Sequence, residues 1–173
     1  MTRIRATLFG LIALAALVAA GCGAQASPYG SSGGTSGGTT GGTSGSAAHV
    51  GTHSATVGGK SVTVLANSQG MTLYYFDSDT TSSVACSSGC TSTWPAMLSS
   101  GTPVADGSLS GTLSVISSSN GTQVTYNGHP LYTYSGDTAA GQANGDGIMG
   151  KWHAATPNVA QNTNTGSGGG YGY

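Results

Sequence analysis

The feature of this chain that most constrains its fold is an internal repeat. The segment LYYFDSDT at Leu73–Thr80 recurs as LYTYSGDT at Leu131–Thr138, and the same spacing relates Trp94 to Trp152. In a chain rich in Gly, Ser and Thr, chance rarely aligns leucine, tyrosine, a second aromatic residue, aspartate and tryptophan at one spacing. The repeat therefore predicts a duplicated unit, and residues that hold the same place in both copies are expected to build the scaffold rather than a catalytic site.

Short β-type segments separated by turn signals run through both copies, and no stretch shows a sustained helical period. In the second copy, Asn120-Gly121 and Asn127-Gly128 predict hairpin turns between strands at 113–116, 122–126 and 129–134. The first copy repeats this pattern with strands at 54–57, 60–66 and 71–77. The sequence thus predicts an all-β domain of two duplicated three-stranded antiparallel meanders, packed about a pseudo-two-fold axis as a small sandwich or one continuous sheet. A short helical turn fits within the loop before each tryptophan.

The repeat motif consists of the aromatic and acidic side chains at equivalent places in the two copies: Tyr74, Phe76, Asp79 and Trp94 in the first, Tyr132, Tyr134, Asp137 and Trp152 in the second. Strand alternation places the first two aromatic residues of each set on one face. A lone three-stranded meander is barely stable in water, so we expect the two aromatic faces to be buried together. The tryptophans are then expected to close the ends of the interface.

The first 21 residues have the pattern of an export signal. Arg3 and Arg5 precede an apolar run from Ala6 to Ala20, which is shorter than a membrane-spanning helix requires. The sequence AAGC ending at Cys22 resembles the lipobox of bacterial lipoproteins, in which the cysteine sulfur is acylated and becomes the mature N-terminus. The resemblance implies a membrane-anchored protein on the extracytoplasmic side of the bacterial envelope.

The rest of the chain divides by composition. Residues 22–48 are rich in Gly, Ser and Thr, which predicts a flexible tether. The duplicated domain is predicted at residues 49–157, with its copies at about 54–100 and 111–157. A disordered tail is predicted at residues 158–173. Once the signal is removed, only Lys60 and Lys151 oppose the five aspartates. With no basic patch, nucleic-acid binding is excluded, and membrane contact is expected through the lipid anchor alone.

Several motifs together support a resemblance to a family. The pattern Y-x-[FWY]-x-x-D occurs twice, beside CSSGCTSTWP at Cys86–Pro95, NGHPLY at Asn127–Tyr132 and Trp152-His153. The chain resembles the bacterial secreted-repeat lipoproteins that are named for this motif. The resemblance implies an exported protein with no settled function and no established active site, and it supplies no catalytic residue.

Cys86 and Cys90 are the thiols that remain in the mature domain if Cys22 is acylated. In an oxidising compartment the simplest interpretation is a disulfide, and the alternatives are a redox-active pair or half of a metal site. The spacing differs from the Cys-x-x-Cys of thioredoxin-like enzymes.

His129 and His153 each border a motif aromatic residue, and Met149 is close in sequence. If the tryptophan loop folds back on its own third strand, the two imidazoles approach each other, and a His/His/Met set suits copper or haem iron. The alternative is that both histidines hydrogen-bond strand ends and loop carbonyls, with no cofactor.

The two motif acids, Asp79 and Asp137, are expected to accept backbone N–H bonds in local turns. A calcium loop around Asp77 and Asp79, or in NGDG at Asn144–Gly147, is the weaker alternative because the EF-hand spacing and terminal Glu are missing. No catalytic constellation is recognisable. We therefore expect a non-catalytic module that binds an envelope or surface partner or stabilises the envelope, with a metal or electron carrier as the alternative and a hydrolase as a third.

Overall fold

The computed structural model describes residues 46–166. Its strands are β1 His49–Val57, β2 Lys60–Asn67, β3 Tyr74–Phe76, β4 Val104–Ala105, β5 Leu113–Ser118, β6 Gly121–Tyr126, β7 His129–Pro130 and β8 Trp152–Ala154. Short 3₁₀ helices, Ser88–Ser92 and Ile148–Gly150, lie in the loops before Trp94 and Trp152. The predicted signal peptide, Cys22 and most of the predicted tether lie outside the described residues. Among those described, no helix is long and apolar enough to cross a membrane.

The strands form three small sheets, ordered β2-β1-β4, β3-β8 and β5-β6-β7. The predicted all-β class is confirmed, but the arrangement is neither two intact meanders nor one sheet. In the second copy the third strand stays in its meander, since β7 pairs with β6. The first copy keeps the same pairing at the start of its third strand, since Thr72 bridges Ala66 and the N–H of Leu73 donates to the carbonyl of Leu65 at 2.8 Å. Further along, β3 pairs with β8 of the other copy. The side chain of Asn67 holds the turn before this strand, because its Oδ1 accepts hydrogen bonds from the backbone N–H groups of Gln69 and Met71.

Two hairpins close with a two-residue turn, one of them at the predicted Asn127-Gly128. Val57 pairs with Lys60 around Gly58-Gly59, and Tyr126 pairs with His129 around Asn127-Gly128; all four turn residues have positive φ, as a type I′ turn requires. The turn predicted at Asn120-Gly121 lies one residue earlier, at positions 119 and 120, because Ser118 pairs with Gly121. Asn120 is held there by its side-chain amide, which donates to the carbonyl of Cys86 at 2.9 Å.

The core divides into two clusters according to the alternation of the third strands. Leu73 and Leu131 point into an aliphatic cluster with Val50, Leu65, Val124, Tyr126 and Ala155. Tyr74 and Tyr132 point the other way, into an aromatic cluster with Cys86, Trp94 and Trp152. The prediction that the aromatic faces of the two copies are buried together is therefore confirmed, and both tyrosines are fully buried.

The first part of the predicted tail lies against the domain. Asn162 donates its backbone N–H to the carbonyl of Asn127 at 2.9 Å, Asn164 accepts from Thr81 N–H at 2.9 Å, and Val159 packs on the aliphatic cluster. The sequence assigned residues 158–166 to the tail because their composition is polar, but asparagine amides can tie such a segment to exposed backbone groups. Residues 167–173 lie outside the described part of the chain.

Candidate functional site

The two copies meet at their motif tyrosines. Tyr74 and Tyr132 exchange backbone hydrogen bonds of 2.8 and 2.9 Å, as an antiparallel pair across the pseudo-two-fold axis. On one side of this pair, β8 carries Trp152 alongside Phe76. On the other side, the N–H of Ser135 donates to the carbonyl of Thr93 at 2.9 Å, next to Trp94. The tryptophan segment of each copy therefore pairs with the motif strand of the other copy.

This exchange brings the two tryptophans together at the centre of the interface. Their rings are stacked with centroids 3.7 Å apart and an interplanar angle of 1°. Phe76 stacks on Trp152 and Tyr134 lies against Trp94, each with ring centroids 4.5 Å apart. The expectation that the tryptophans close the ends of the interface is wrong, since Phe76 and Tyr134 occupy those positions.

The motif acids bind the motif tyrosines across the copies. Tyr74 donates its hydroxyl to Oδ2 of Asp137 at 2.5 Å, and Tyr132 donates to Oδ2 of Asp79 at 2.7 Å. The other carboxylate oxygens accept backbone N–H bonds, from Ala85 to Asp79 at 2.7 Å and from Asn144 to Asp137 at 2.9 Å. The aspartates do accept backbone N–H bonds as predicted. These bonds close loops longer than a local Asx turn, and the tyrosine partner of each aspartate could not be predicted because it belongs to the other copy.

Burial governs the ionisation of these groups. It raises the pKa of the Tyr74 and Tyr132 hydroxyls far above the ordinary value, and the hydrogen bonds to the carboxylates act in the same direction. It also raises the pKa of Asp79, although the donors around that carboxylate oppose the shift. Both tyrosines therefore stay protonated at neutral pH and serve as hydrogen-bond donors rather than bases or nucleophiles.

Cys86 and Cys90 form the predicted disulfide, with Cα atoms 5.4 Å apart. Cys86 is buried in the aromatic cluster, and Cys90 lies in the 3₁₀ helix of the first copy. The disulfide closes a small loop just before Trp94 and belongs to the packing around that ring.

A second set of rings lies on the opposite face of β3, and this set differs between the copies. Tyr75 contacts His129 with ring centroids 4.5 Å apart and His153 with centroids 5.2 Å apart. Asp77 holds His153, with Oδ2 3.1 Å from its Nε2. We call Tyr75, Asp77, His129 and His153 the Tyr75 face. The two histidines could be singled out from the sequence, whereas Tyr75 was not and Asp77 was considered only as a calcium ligand; their counterparts in the second copy are Thr133 and Ser135.

The two histidines approach Tyr75 rather than each other. β3 lies between the Tyr132 segment and β8, so its Tyr75 is placed between the histidines of the neighbouring strands. The reason is the exchange described above: the tryptophan loop packs on the third strand of the other copy, not on its own. Met149 is 81% exposed. No group of three or more His, Cys, Asp or Glu within residues 46–166 is arranged to hold a metal ion.

A groove of about 300 Å³ opens beside this face. Tyr75, Asp77 and His129 line one side, and the segment 159–164 lines the other. His129 Nε2 lies 3.1 Å from the carbonyl oxygen of Ala160, and burial lowers the pKa of this histidine. His129 is therefore mostly neutral at pH 7, when its Nε2–H can donate to that carbonyl.

The carboxylates considered for calcium are engaged within the protein. Asp146 accepts the backbone N–H of Ala154 at 2.9 Å, Asp77 contacts His153, and both oxygens of Asp79 accept hydrogen bonds. These residues do not converge on one loop in the way an EF-hand requires.

A protein family described as a secreted repeat of unknown function matches the chain twice, at residues 55–97 and 114–156. The chain belongs to this family. The matched segments coincide with the two predicted copies and contain the exchanged tyrosines, aspartates and tryptophans. Membership in a family of secreted repeats also agrees with the predicted extracytoplasmic location. No curated protein and no solved structure gives a significant match.

Proposed function

We propose that this chain is a non-catalytic, lipid-anchored protein of the bacterial envelope that binds a partner through the Tyr75 face. The observation that supports this most is the contrast between the motif and that face. The motif hydroxyls and carboxylates are buried and bonded to each other, and no buried side-chain N or O atom in the described residues lacks a hydrogen bond. Groups used in this way hold the repeats together and are not free to act on a ligand.

The Tyr75 face has the opposite character. Its residues are partly exposed, border a groove, and are replaced at the equivalent places of the other copy by Thr133, Ser135, Met71 and Pro95. A feature that one copy has and the other lacks is not required by the repeat fold. Aromatic rings with a few polar groups beside a concave surface are typical of binding sites.

The anchor is tested separately from the binding face. Cells grown with an alkyne fatty acid are expected to label the wild-type chain, because the acylated cysteine gives stable membrane attachment. The Cys22→Ala variant is the control and is expected to lose the label. An unlabelled wild-type chain would contradict the anchor.

The binding face is tested by photo-crosslinking on cells that produce the protein. A photoreactive amino acid at position 161, beside the groove, is compared with one at position 119, on a different exposed loop. We expect a discrete adduct from position 161 that disappears when Tyr75→Ala is added, and none from position 119. Equal adducts from both positions, or an adduct that persists without Tyr75, would refute the assignment.

Metal binding or electron transfer at His129 and His153 is the second candidate. One observation favours it: each imidazole has its Nε2 beside an oxygen, Ala160 O or Asp77 Oδ2, and no hydrogen bond to Nδ1 is found within residues 46–166. Metal-ligating histidines commonly have one ring nitrogen held in this way. Since Tyr75 separates the rings, the candidate needs Tyr75 to move or each histidine to bind alone.

Elemental analysis and a visible spectrum of protein purified without chelators decide this candidate. Copper or iron that is lost in His129→Ala and His153→Ala, and kept in the exposed-strand control His53→Ala, would support the carrier. Metal-free, colourless protein that does not take up added Cu²⁺ would exclude it.

A further inference from the structure

The aromatic cluster contains a geometry that packing energy alone does not favour. Trp94 and Trp152 lie face to face, parallel to within 1° and 3.7 Å apart. Aromatic pairs ordinarily prefer offset or edge-to-face arrangements with centroids about 4.5–7 Å apart, because a sandwich opposes like charges of the two quadrupoles. A face-to-face pair of indoles is also the arrangement with the greatest π overlap, so a positive charge on one ring is shared by the other.

The tyrosines that contact this pair each have a proton acceptor in place. Tyr132 lies edge-on to Trp152 at 5.2 Å, and Tyr74 lies edge-on to Trp94 at 5.5 Å. Their hydrogen bonds to Asp79 and Asp137, 2.7 and 2.5 Å long, fall in the range of an O–H donor bound to an ionised carboxylate.

A scaffold does not need carboxylates at these two positions. Within residues 46–166 the side-chain ion pairs of aspartates are those of Asp106 with His49 and Asp77 with His153, so neither motif acid has a cationic partner. Burying a charge without a cation is costly, and a neutral amide oxygen would accept the same tyrosine hydrogen bond at lower cost. A carboxylate adds the ability to take the tyrosine's proton.

We propose that the Trp94–Trp152 pair and its two carboxylate-bonded tyrosines form a relay for one-electron oxidation. A one-electron oxidant at the protein surface, such as an oxidised metal complex or an oxyl radical, removes one electron from the indole pair and is itself reduced. Tyr132 then returns an electron to the indole pair while its hydroxyl proton moves to Oδ2 of Asp79. The products are a neutral indole pair, a neutral tyrosyl radical and a protonated Asp79. Tyr74 and Asp137 provide the same step in the other half.

The ends of the stack give the relay a direction. Phe76 at one end is much harder to oxidise than indole or phenol, whereas Tyr134 at the other end is an oxidisable ring that is half-buried and lies 4.5 Å from Trp94. A surface reductant of the ascorbate class can therefore return an electron through Tyr134 and Trp94, and the tyrosyl radical becomes tyrosine again as Asp79 gives back its proton. This role is independent of what the Tyr75 face binds.

Flash photolysis of the full-length protein tests the relay. A dissolved ruthenium tris-bipyridine complex, photo-oxidised in the presence of a sacrificial electron acceptor, serves as the oxidant, and transient absorption follows tryptophan and tyrosyl radicals separately. We expect a tryptophan radical first, then a tyrosyl radical that grows as the first decays, with a slower second phase in deuterated solvent. A tryptophan radical that decays without tyrosyl growth, or a second phase without an isotope effect, would overturn the proposal.

Variants assign the second phase to residues. The double substitution Tyr74→Phe with Tyr132→Phe is expected to abolish it, and Asp79→Asn with Asp137→Asn to slow it, because the amide accepts a hydrogen bond but not the proton. Tyr126→Phe is the matched control, since Tyr126 is equally buried but belongs to the aliphatic cluster. Loss of the phase in Tyr126→Phe, or its survival in the double tyrosine variant, would contradict the assignment. Near-ultraviolet circular dichroism checks that each variant is folded, and the isotope effect in the wild type decides the proton step without any variant.

Discussion

The exchange of tyrosine–aspartate bonds between copies predicts a specific pattern of energetic coupling. Tyr132→Phe removes the hydroxyl donor from the buried Asp79 carboxylate, which is expected to lower the free energy of unfolding by about 2 kcal/mol. Asp79→Ala leaves both the Tyr132 hydroxyl and the Ala85 N–H without their acceptor, and we expect a loss of about 2–4 kcal/mol. Because both variants remove one shared hydrogen bond, the double variant should lose less than the sum.

A double-mutant cycle measures this difference directly. Urea unfolding, followed by tryptophan fluorescence with the disulfide oxidised, should give a coupling of about 1.5 kcal/mol between Tyr132 and Asp79, which belong to different copies. The matched control cycle combines substitutions of Tyr132 and of Asp137, which belong to the same motif; Asp137 accepts its hydrogen bond from Tyr74 instead. In this cycle the losses of unfolding free energy should add to within about 0.5 kcal/mol. Coupling within one motif and none across the copies would refute the exchange.

Three further predictions follow from individual contacts. Replacing Cys86 and Cys90 together by serine should cost about 2 kcal/mol of unfolding free energy, the loop-closure value for so short a ring, as measured by urea unfolding. Gly145→Ala should destabilise the domain by about 1–3 kcal/mol, because a Cβ at this position would lie 2.8 Å from the Trp94 ring. The control Gly89→Ala has open space around its Cβ and should leave the melting temperature nearly unchanged. Burial raises the pKa of Asp79 above 3.8, so between the pKa values of the unfolded and folded states the native protein binds more protons than the unfolded chain. The free energy of unfolding should therefore fall as pH rises through that window. Asp79→Asn should flatten this slope, which urea unfolding at a series of pH values measures.

The duplication and strand pattern predict much of this architecture. The Gly58-Gly59 and Asn127-Gly128 turns are local, because positive φ at both positions is a property of those residues themselves. The split of Leu73 and Tyr74 into different clusters follows from strand alternation, which is also local. Features decided by a few neighbouring residues can therefore be predicted from a single chain.

The exchange between copies could not be predicted in this way. Equivalent residues in a repeat fit equally well in their own copy and in the other, so the pattern does not tell whether Trp152 pairs with β3 or with its own strand. The position of Tyr75 between His129 and His153 depends on that choice. The residues of the Tyr75 face differ between the copies, but these differences can be assigned to one surface only once the strand partners are known.

Circular dichroism of the Trp94–Trp152 pair tests the exchange most directly. Two indoles stacked 3.7 Å apart couple their strong ultraviolet transitions, and the coupling produces a pair of bands of opposite sign when the two transition dipoles are not parallel. Because both tryptophans contribute, Trp94→Phe and Trp152→Phe should each abolish the same pair of bands, and Tyr126→Phe should leave it unchanged. A pair of bands that survives in either single tryptophan variant would show that it does not come from stacked Trp94 and Trp152, and would contradict the exchange of tryptophan segments between the copies.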